Sequence, residues 1–322
     1  MRKIIKSLLS YFLAFLIIGL ILFLLRDHWA DLGKVTNLSL AIILIVGGIF
    51  VINQCIQAFI LQRLLATSGC RITLKKSFYL VSVRSFLNYL PLNAGMFSNG
   101  VYLKRVVNFP VSQFLGLFSG AVLLSFLSYS FIGLIYILYL VMLGKSISLV
   151  LTSIIIIMFT MPIILISIRI PFLKKENRLI NLINRFHKGW ELLRRKKADV
   201  AIIIICQILG LFLFSLRFYL IARDLDINMG FEVIIFINIF GSLLRLNTLF
   251  PGNLGLREAV AGAVAASFSV NFVDGFLPTA TDHLLAMFVI FAFGIPFLFK
   301  LNKDMRNVPV ISSQIQYTEY TE

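Results

Sequence analysis

The residue type that could do chemistry in this chain is arginine in apolar surroundings. Arg84, Arg217, Arg245 and Arg257 all fall within strongly hydrophobic stretches. On insertion scales an arginine at the centre of a bilayer costs about 2.5–3.5 kcal/mol, so four of them need a reason. One reason is an anionic ligand, because the planar guanidinium fork binds phosphate in a bidentate way that lysine does not match. The other is structural: these arginines satisfy carbonyls freed where helices are broken. Arg217, near one end of its apolar run, is expected to snorkel to the interface. Arg84 and Arg257, each beside a helix break, are expected in a site.

The breaks are legible as a repeated pattern. Leu249-Phe250-Pro251-Gly252-Asn253-Leu254-Gly255-Leu256-Arg257-Glu258 is echoed far upstream by Leu90-Pro91-Leu92-Asn93-Ala94-Gly95, and both read Pro-x-Asn-x-Gly. Asn88 and Asn247 stand just ahead of the two prolines, and Arg84 and Arg245 a little earlier. Broken apolar segments at matching places in two halves point to a transport site. Such backbone is tolerated at membrane depth only where protein or a cavity surrounds it. Asn93 and Asn253 are expected to cap the half-helices that follow, aiming their N-terminal amides at the membrane interior as an anion site. Gly95, Gly252 and Gly255 serve either close approach of a headgroup or tight turns. Glu258 is read as the counter-ion of its neighbour Arg257, or, with Asp282, as a proton-coupling carboxylate. His283 beside Asp282 is read as an interfacial pair.

Catalytic patterns are absent. There is no helical His pair for a metal, no G-x-S-x-G elbow, no P-loop and no CxxC. Cys55, Cys70 and Cys206 have neither metal nor disulfide spacing and are expected as packed free thiols. No cofactor is expected, and the reading leans away from an enzyme.

The elements that must position these residues are helices in a membrane. Of the 322 residues, 59% are hydrophobic and 14% charged, and mean hydropathy is +0.95. Apolar runs near the ~20 residues of a spanning helix recur along the chain. The expected fold is an all-α polytopic membrane protein with about six transmembrane helices and two re-entrant broken-helix hairpins in an inverted repeat. The spans fall near 8–25, 40–62, 111–143, 147–169, 199–222 and 277–299, and the hairpins at 77–103 and 231–270. Gln54, with Asn53 and Gln57, gives the second span a polar face that should look into the bundle. The 111–143 run is read as one long helix, since two would turn the most basic loop outward. Gly116 and Gly120 make a small-xxx-small pair within it.

The net charge of +16 reports orientation rather than nucleic acid. This topology places 22 of the 30 Lys and Arg inside, four outside (Arg26, Lys34, Lys145, Arg223) and four at membrane depth. Both termini are then cytoplasmic. The 170–198 connector is read as a basic amphipathic helix on the cytoplasmic surface, with Leu179, Leu182, Ile183, Phe186, Trp190 and Leu193 on its apolar face, or as a plain basic connector. Residues 1–305 form a single domain with pseudo-repeats at about 1–143 and 147–300, and 306–322 read as a disordered tail.

Arg-x-x-x-Asn-x-Leu-Pro beginning at Arg84, the following Tyr102-Leu103-Lys104-Arg105, and Phe250-Pro251-Gly252-Asn253-Leu254-Gly255-Leu256-Arg257-Glu258-Ala259 resemble the membrane region of the lysylphosphatidylglycerol synthase/flippase family. The resemblance covers about 1–305. It implies a cell-membrane protein that moves a lipid with a charged or phosphate-bearing headgroup between leaflets, such as aminoacyl-phosphatidylglycerol or a polyprenyl-phosphate glycolipid. Membrane lipids are then the partners, with Arg84, Asn88, Asn93, Gly95, Arg245, Asn247, Gly252, Asn253, Gly255, Arg257 and Glu258 as the substrate-binding set. The transferase domain of bifunctional relatives has no counterpart in these 322 residues. Lysyltransfer to phosphatidylglycerol is therefore implied by the family name alone. Asn253 stands where many relatives have a second glycine. The alternative is a non-transporting subunit that assembles a lipid- or glycan-modifying enzyme through the basic connector; besides lipids, the partners are then such an enzyme or a second copy of the chain.

Overall fold

The computed structural model describes residues 38–90, 94–144, 148–167, 178–246 and 251–307, with a few side chains inside those ranges excepted. The expected first span, Pro91, Asn93, Asn247, the Arg245 side chain and the tail beyond 307 lie outside what is described. So do the side chains of Leu179, Leu182, Phe186, Trp190 and Leu193.

Every described element is helical. Among the described residues, five helices are long and apolar enough to cross a membrane: α1 (Leu40–Ala66), α4 (Val111–Met142), α5 (Leu149–Ser167), α7 (Lys197–Asp224) and α10 (Phe272–Asn307). They coincide with the five expected spans that fall within the described residues. The 111–143 run is one helix of 32 residues. The remaining helices are α2 (Leu74–Leu87), α3 (Ala94–Val107), α6 (Arg178–Arg195), α8 (Phe231–Ser242) and α9 (Leu256–Ser267). At 1.5 Å per residue, α2 and α3 reach about 21 Å each and α8 and α9 about 18 Å, short of a hydrocarbon core of about 30 Å. Both Pro-x-Asn-x-Gly motifs therefore divide pairs of half-length helices.

Local chemistry explains several boundaries. The Ser39 hydroxyl accepts from the Ile42 amide, starting α1, while the Ser39 N–H donates to the Asp224 carboxylate at 2.9 Å. One carboxylate thus ties the start of α1 to the end of its neighbour α7. Thr73 caps α2 in the same way through the Lys76 amide. Proline at position 110 precedes α4, where its missing N–H costs nothing.

Burial follows a layered plan. One apolar cluster gathers α8, α9 and the first turns of α10 with Val46, Leu140, Ile155 and Phe218. A second gathers α2 and α3 with Leu61, Leu65, Leu117, Ile203 and Leu301. Each long helix that joins both clusters changes character between them. On α1, Asn53, Gln54 and Gln57 separate Val46 from Leu61. Small residues let the short helices come close. A Cβ on Gly294 of α10 would lie 2.4 Å from Phe86 Cβ of α2, and one on Gly275 would lie 2.6 Å from the Ala261 carbonyl oxygen of α9.

The basic connector does hold a helix, but α6 is seated on α4 rather than lying free of the bundle. A Cβ on Gly189 would sit 2.3 Å from the Gln113 carbonyl oxygen, so the two helices touch at backbone. Gly116 and Gly120 are buried on the same helix.

Candidate functional site

Between the two apolar clusters lies a cavity of about 450 Å³, walled mainly by α1, α2, α4, α7 and α8, with Met96 of α3, the loop before α9, Arg257 in its first turn and Ile290 of α10. The two helix breaks meet at its edge. The Gly252 amide donates to the Asn88 carbonyl oxygen at 2.9 Å, joining the loop before α9 to the end of α2. Gly252 has φ +62° and Gly255 φ +79°, values that glycine alone adopts without strain. A Cβ on Gly252 would also lie 2.6 Å from the Tyr89 ring. Gly95 has a different purpose: a Cβ there would be 2.1 Å from the Arg84 carbonyl oxygen, so it lets α3 fold tightly back on α2.

Asn253 is placed differently from the expectation. The residue preceding α9 is Gly255, with no side-chain cap, and Asn253 itself sits at φ +58°. Its amide donates to the Leu244 carbonyl at 3.2 Å, tying the loop back to the 3-10 turn Leu243–Leu246 that ends α8. With Asn253 itself and Gly255 both at positive φ and Gly255 in the position before α9, the Asn253 side chain is directed to Leu244 and not to the first amides of the helix.

The charged groups pair across helices, not along the sequence. Asp282 of α10 accepts from Arg217 Nε and, at 2.9 Å, from Arg217 Nη2, and it also accepts from Arg257 Nη2 at 2.7 Å. Arg217 is 2% and Asp282 1% exposed, whereas Arg257 keeps 18% and reaches the cavity. Arg217 therefore does not snorkel. It is buried because α7 turns this face inward, and its neighbours there are the Phe50 and Phe214 rings, 4.9 and 4.8 Å from the guanidinium carbon. Phe214 also carries Arg257 at 4.6 Å.

Glu258 is not the counter-ion of Arg257. It points the other way on α9 and meets His283 Nδ1 at 2.7 Å, both side chains buried. Its second oxygen, Oε2, has no hydrogen-bond partner among the described residues. His283 is accordingly buried on α10 with Glu258, and not an interfacial partner of Asp282. Successive residues on a helix point about 100° apart, which sends Asp282 and His283 to different partners.

Of the expected site residues, Arg84, Asn88, Gly252, Asn253 and Arg257 line the cavity. Gly95 and Gly255 shape the breaks behind it, Glu258 lies outside the wall, and Arg84 packs over Phe118 at 5.2 Å. Asn93 and Asn247 fall outside the described residues, and of Arg245 only the backbone is described. The polar face of α1 is confirmed, since Asn53, Gln54 and Gln57 all line the cavity. Sequence reasoning missed Gln207, Asn238 and Arg217 as members of the wall. A signal existed for α7: Gln207, Gly210, Phe214 and Arg217 recur at helical spacing on one face.

The described lining contains three arginines and seven carboxamides but no Asp or Glu. Asp282 offsets one of the positive charges, so the wall carries an excess of guanidinium facing a polar space. That is an anion-binding arrangement. Among the described residues, no group of His, Cys, Asp and Glu is placed to hold a metal.

No curated protein and no solved structure matches the chain. The model of the lysylphosphatidylglycerol synthase TM region matches residues 5–294, and with its apolar helices the chain is a multi-pass membrane protein that belongs to that family.

Proposed function

We propose that this protein is a lipid translocase, carrying a phosphate-bearing headgroup through the cavity while the lipid tails remain in the bilayer. One observation carries the reading: Arg84, Arg217 and Arg257 converge on a polar space of about 450 Å³ whose described wall has no carboxylate. Arg257 is the principal phosphate ligand, because it alone of the Asp282 partners is partly exposed to the cavity.

The layered burial supports alternating access. Two pairs of half-length helices, each in its own apolar cluster with the cavity between them, form an inverted repeat of re-entrant hairpins. Rocking one cluster against the other would open the site to one leaflet and then the opposite one. The distribution of Lys and Arg supports cytoplasmic termini for a protein of the cell membrane.

The test is transbilayer movement of fluorescent phosphatidylglycerol in liposomes holding the purified chain. Arg257→Gln should reduce the rate at least ten-fold while the protein still elutes as a single folded species. An unchanged rate from a folded variant would overturn the phosphate role of Arg257.

A further inference from the structure

We infer that the headgroup selected by this cavity is a phosphate bearing neutral hydroxyls, a polyol or sugar phosphate, and that a cationic aminoacyl headgroup is rejected. This rests on the translocase reading of the same site and narrows its cargo.

The rejection follows from where the carboxylates are. Asp282 already accepts three hydrogen bonds from two arginines, and Glu258 is turned away toward His283. Every charged side chain in the described lining is an arginine. An ammonium entering this space would meet three guanidinium groups offset only by Asp282, whose oxygens are already taken by two of them, in surroundings less polar than water.

The selection follows from the carboxamides. A bare phosphate needs only donors, and arginine supplies them. An Asn or Gln side chain presents a donor and an acceptor together, which is the pairing that a hydroxyl, itself both donor and acceptor, can satisfy. Two of these amides are unspent: Asn53 and Gln57 make no hydrogen bond with any described residue. Both open onto the same gap, created by a glycine on the facing helix. From the place a Cβ would occupy on Gly210, Asn53 Oδ1 is 3.5 Å away and Gln57 Nε2 is 3.9 Å away. An acceptor and a donor from adjacent turns of α1 thus address one space beside the arginines. The volume suits a small polar group of this kind.

The experiment measures binding to the purified full chain in detergent. The probes are dioctanoyl phosphatidic acid, phosphatidylglycerol, phosphatidylinositol and lysylphosphatidylglycerol, together with a short polyprenyl phosphate and its glucosyl ester. The hydroxyl-bearing phosphates should bind about ten-fold tighter than their hydroxyl-free counterparts and than the lysyl form, as two or so net hydrogen bonds would give. Comparison of the acyl with the polyprenyl series identifies which tail the natural cargo carries. Asn53→Leu with Gln57→Leu should erase the preference, and Gln57→Glu should admit the lysyl form. Equal affinity for phosphatidic acid and phosphatidylglycerol, or tightest binding of the lysyl lipid, would overturn the inference. If Arg257→Gln leaves every affinity unchanged, the phosphate reading itself fails. If Arg257→Gln weakens all probes alike but no hydroxyl preference exists, only the headgroup inference fails.

Discussion

Asp282→Asn should be among the most destabilising single substitutions in the described protein, more so than replacement of either arginine facing it. The carboxylate accepts three charge-assisted hydrogen bonds from two guanidinium groups while almost wholly buried. Hydrogen bonds to charged groups are worth about 1.5–3 kcal/mol each. Asparagine can still accept one of the three and Arg257 can swing toward the cavity, which leaves Arg217 as the uncompensated buried charge. Removing one partner of a buried pair costs about 3–5 kcal/mol, and that is the expected loss. Arg257→Gln should cost less, about 1–2 kcal/mol, because Asp282 keeps its two contacts with Arg217. Pairing Arg217→Met with Asp282→Leu should restore most of the stability, since apolar side chains of similar volume often match a buried ion pair. Thermal unfolding followed by thiol labelling of Cys70 provides the assay, with exposed Cys55 blocked beforehand. If Asp282→Asn melts within about 1 kcal/mol of the parent, or the double replacement is worse than Asp282→Asn alone, the reasoning from buried charge is wrong.

Four further outcomes follow from the space around single glycines. Gly95→Ala should destabilise by about 1–3 kcal/mol, because its Cβ would strike the Arg84 carbonyl, a backbone atom that cannot rotate away. Gly241→Ala, with nothing near its Cβ and a helical backbone, should instead be neutral or stabilising by up to about 1 kcal/mol in the same melt. Gly252→Ala should slow lipid movement even where folding survives, through about 1–2 kcal/mol of left-handed strain and displacement of Tyr89; a proteoliposome rate equal to the parent's would refute this. Gly189→Leu should detach α6 from α4, which limited proteolysis within 178–195 would report as faster cleavage at unchanged bundle stability.

The membrane architecture was legible because it depends on runs of composition. Long apolar stretches give α1, α4, α5, α7 and α10, and prolines with glycines mark where α2 parts from α3 and α8 from α9. The inward polar face of α1 was legible for a related reason, since Asn53, Gln54 and Gln57 share one side of one helix. Pairings between helices were not legible. Arg217 and Asp282 are separated by 65 positions, and nothing in the sequence says that α7 and α10 present them to each other. Adjacency misled in two places: Glu258 follows Arg257 and His283 follows Asp282, yet each turns to a partner on the other helix. Asn253 misled because its residue type suits a cap, whereas the positive φ values at 252, 253 and 255 carry the chain past the position a cap must hold.

The bond from the Gly252 amide to the Asn88 carbonyl runs from main chain to main chain. Apart from a proline at 252, no replacement of a side chain deletes it. The amino acids facing the cavity can therefore be exchanged while the clasp between the end of α2 and the loop before α9 stays intact. The clasp also couples the two breaks: a displacement that begins at either one is felt at the other without any side chain relaying it.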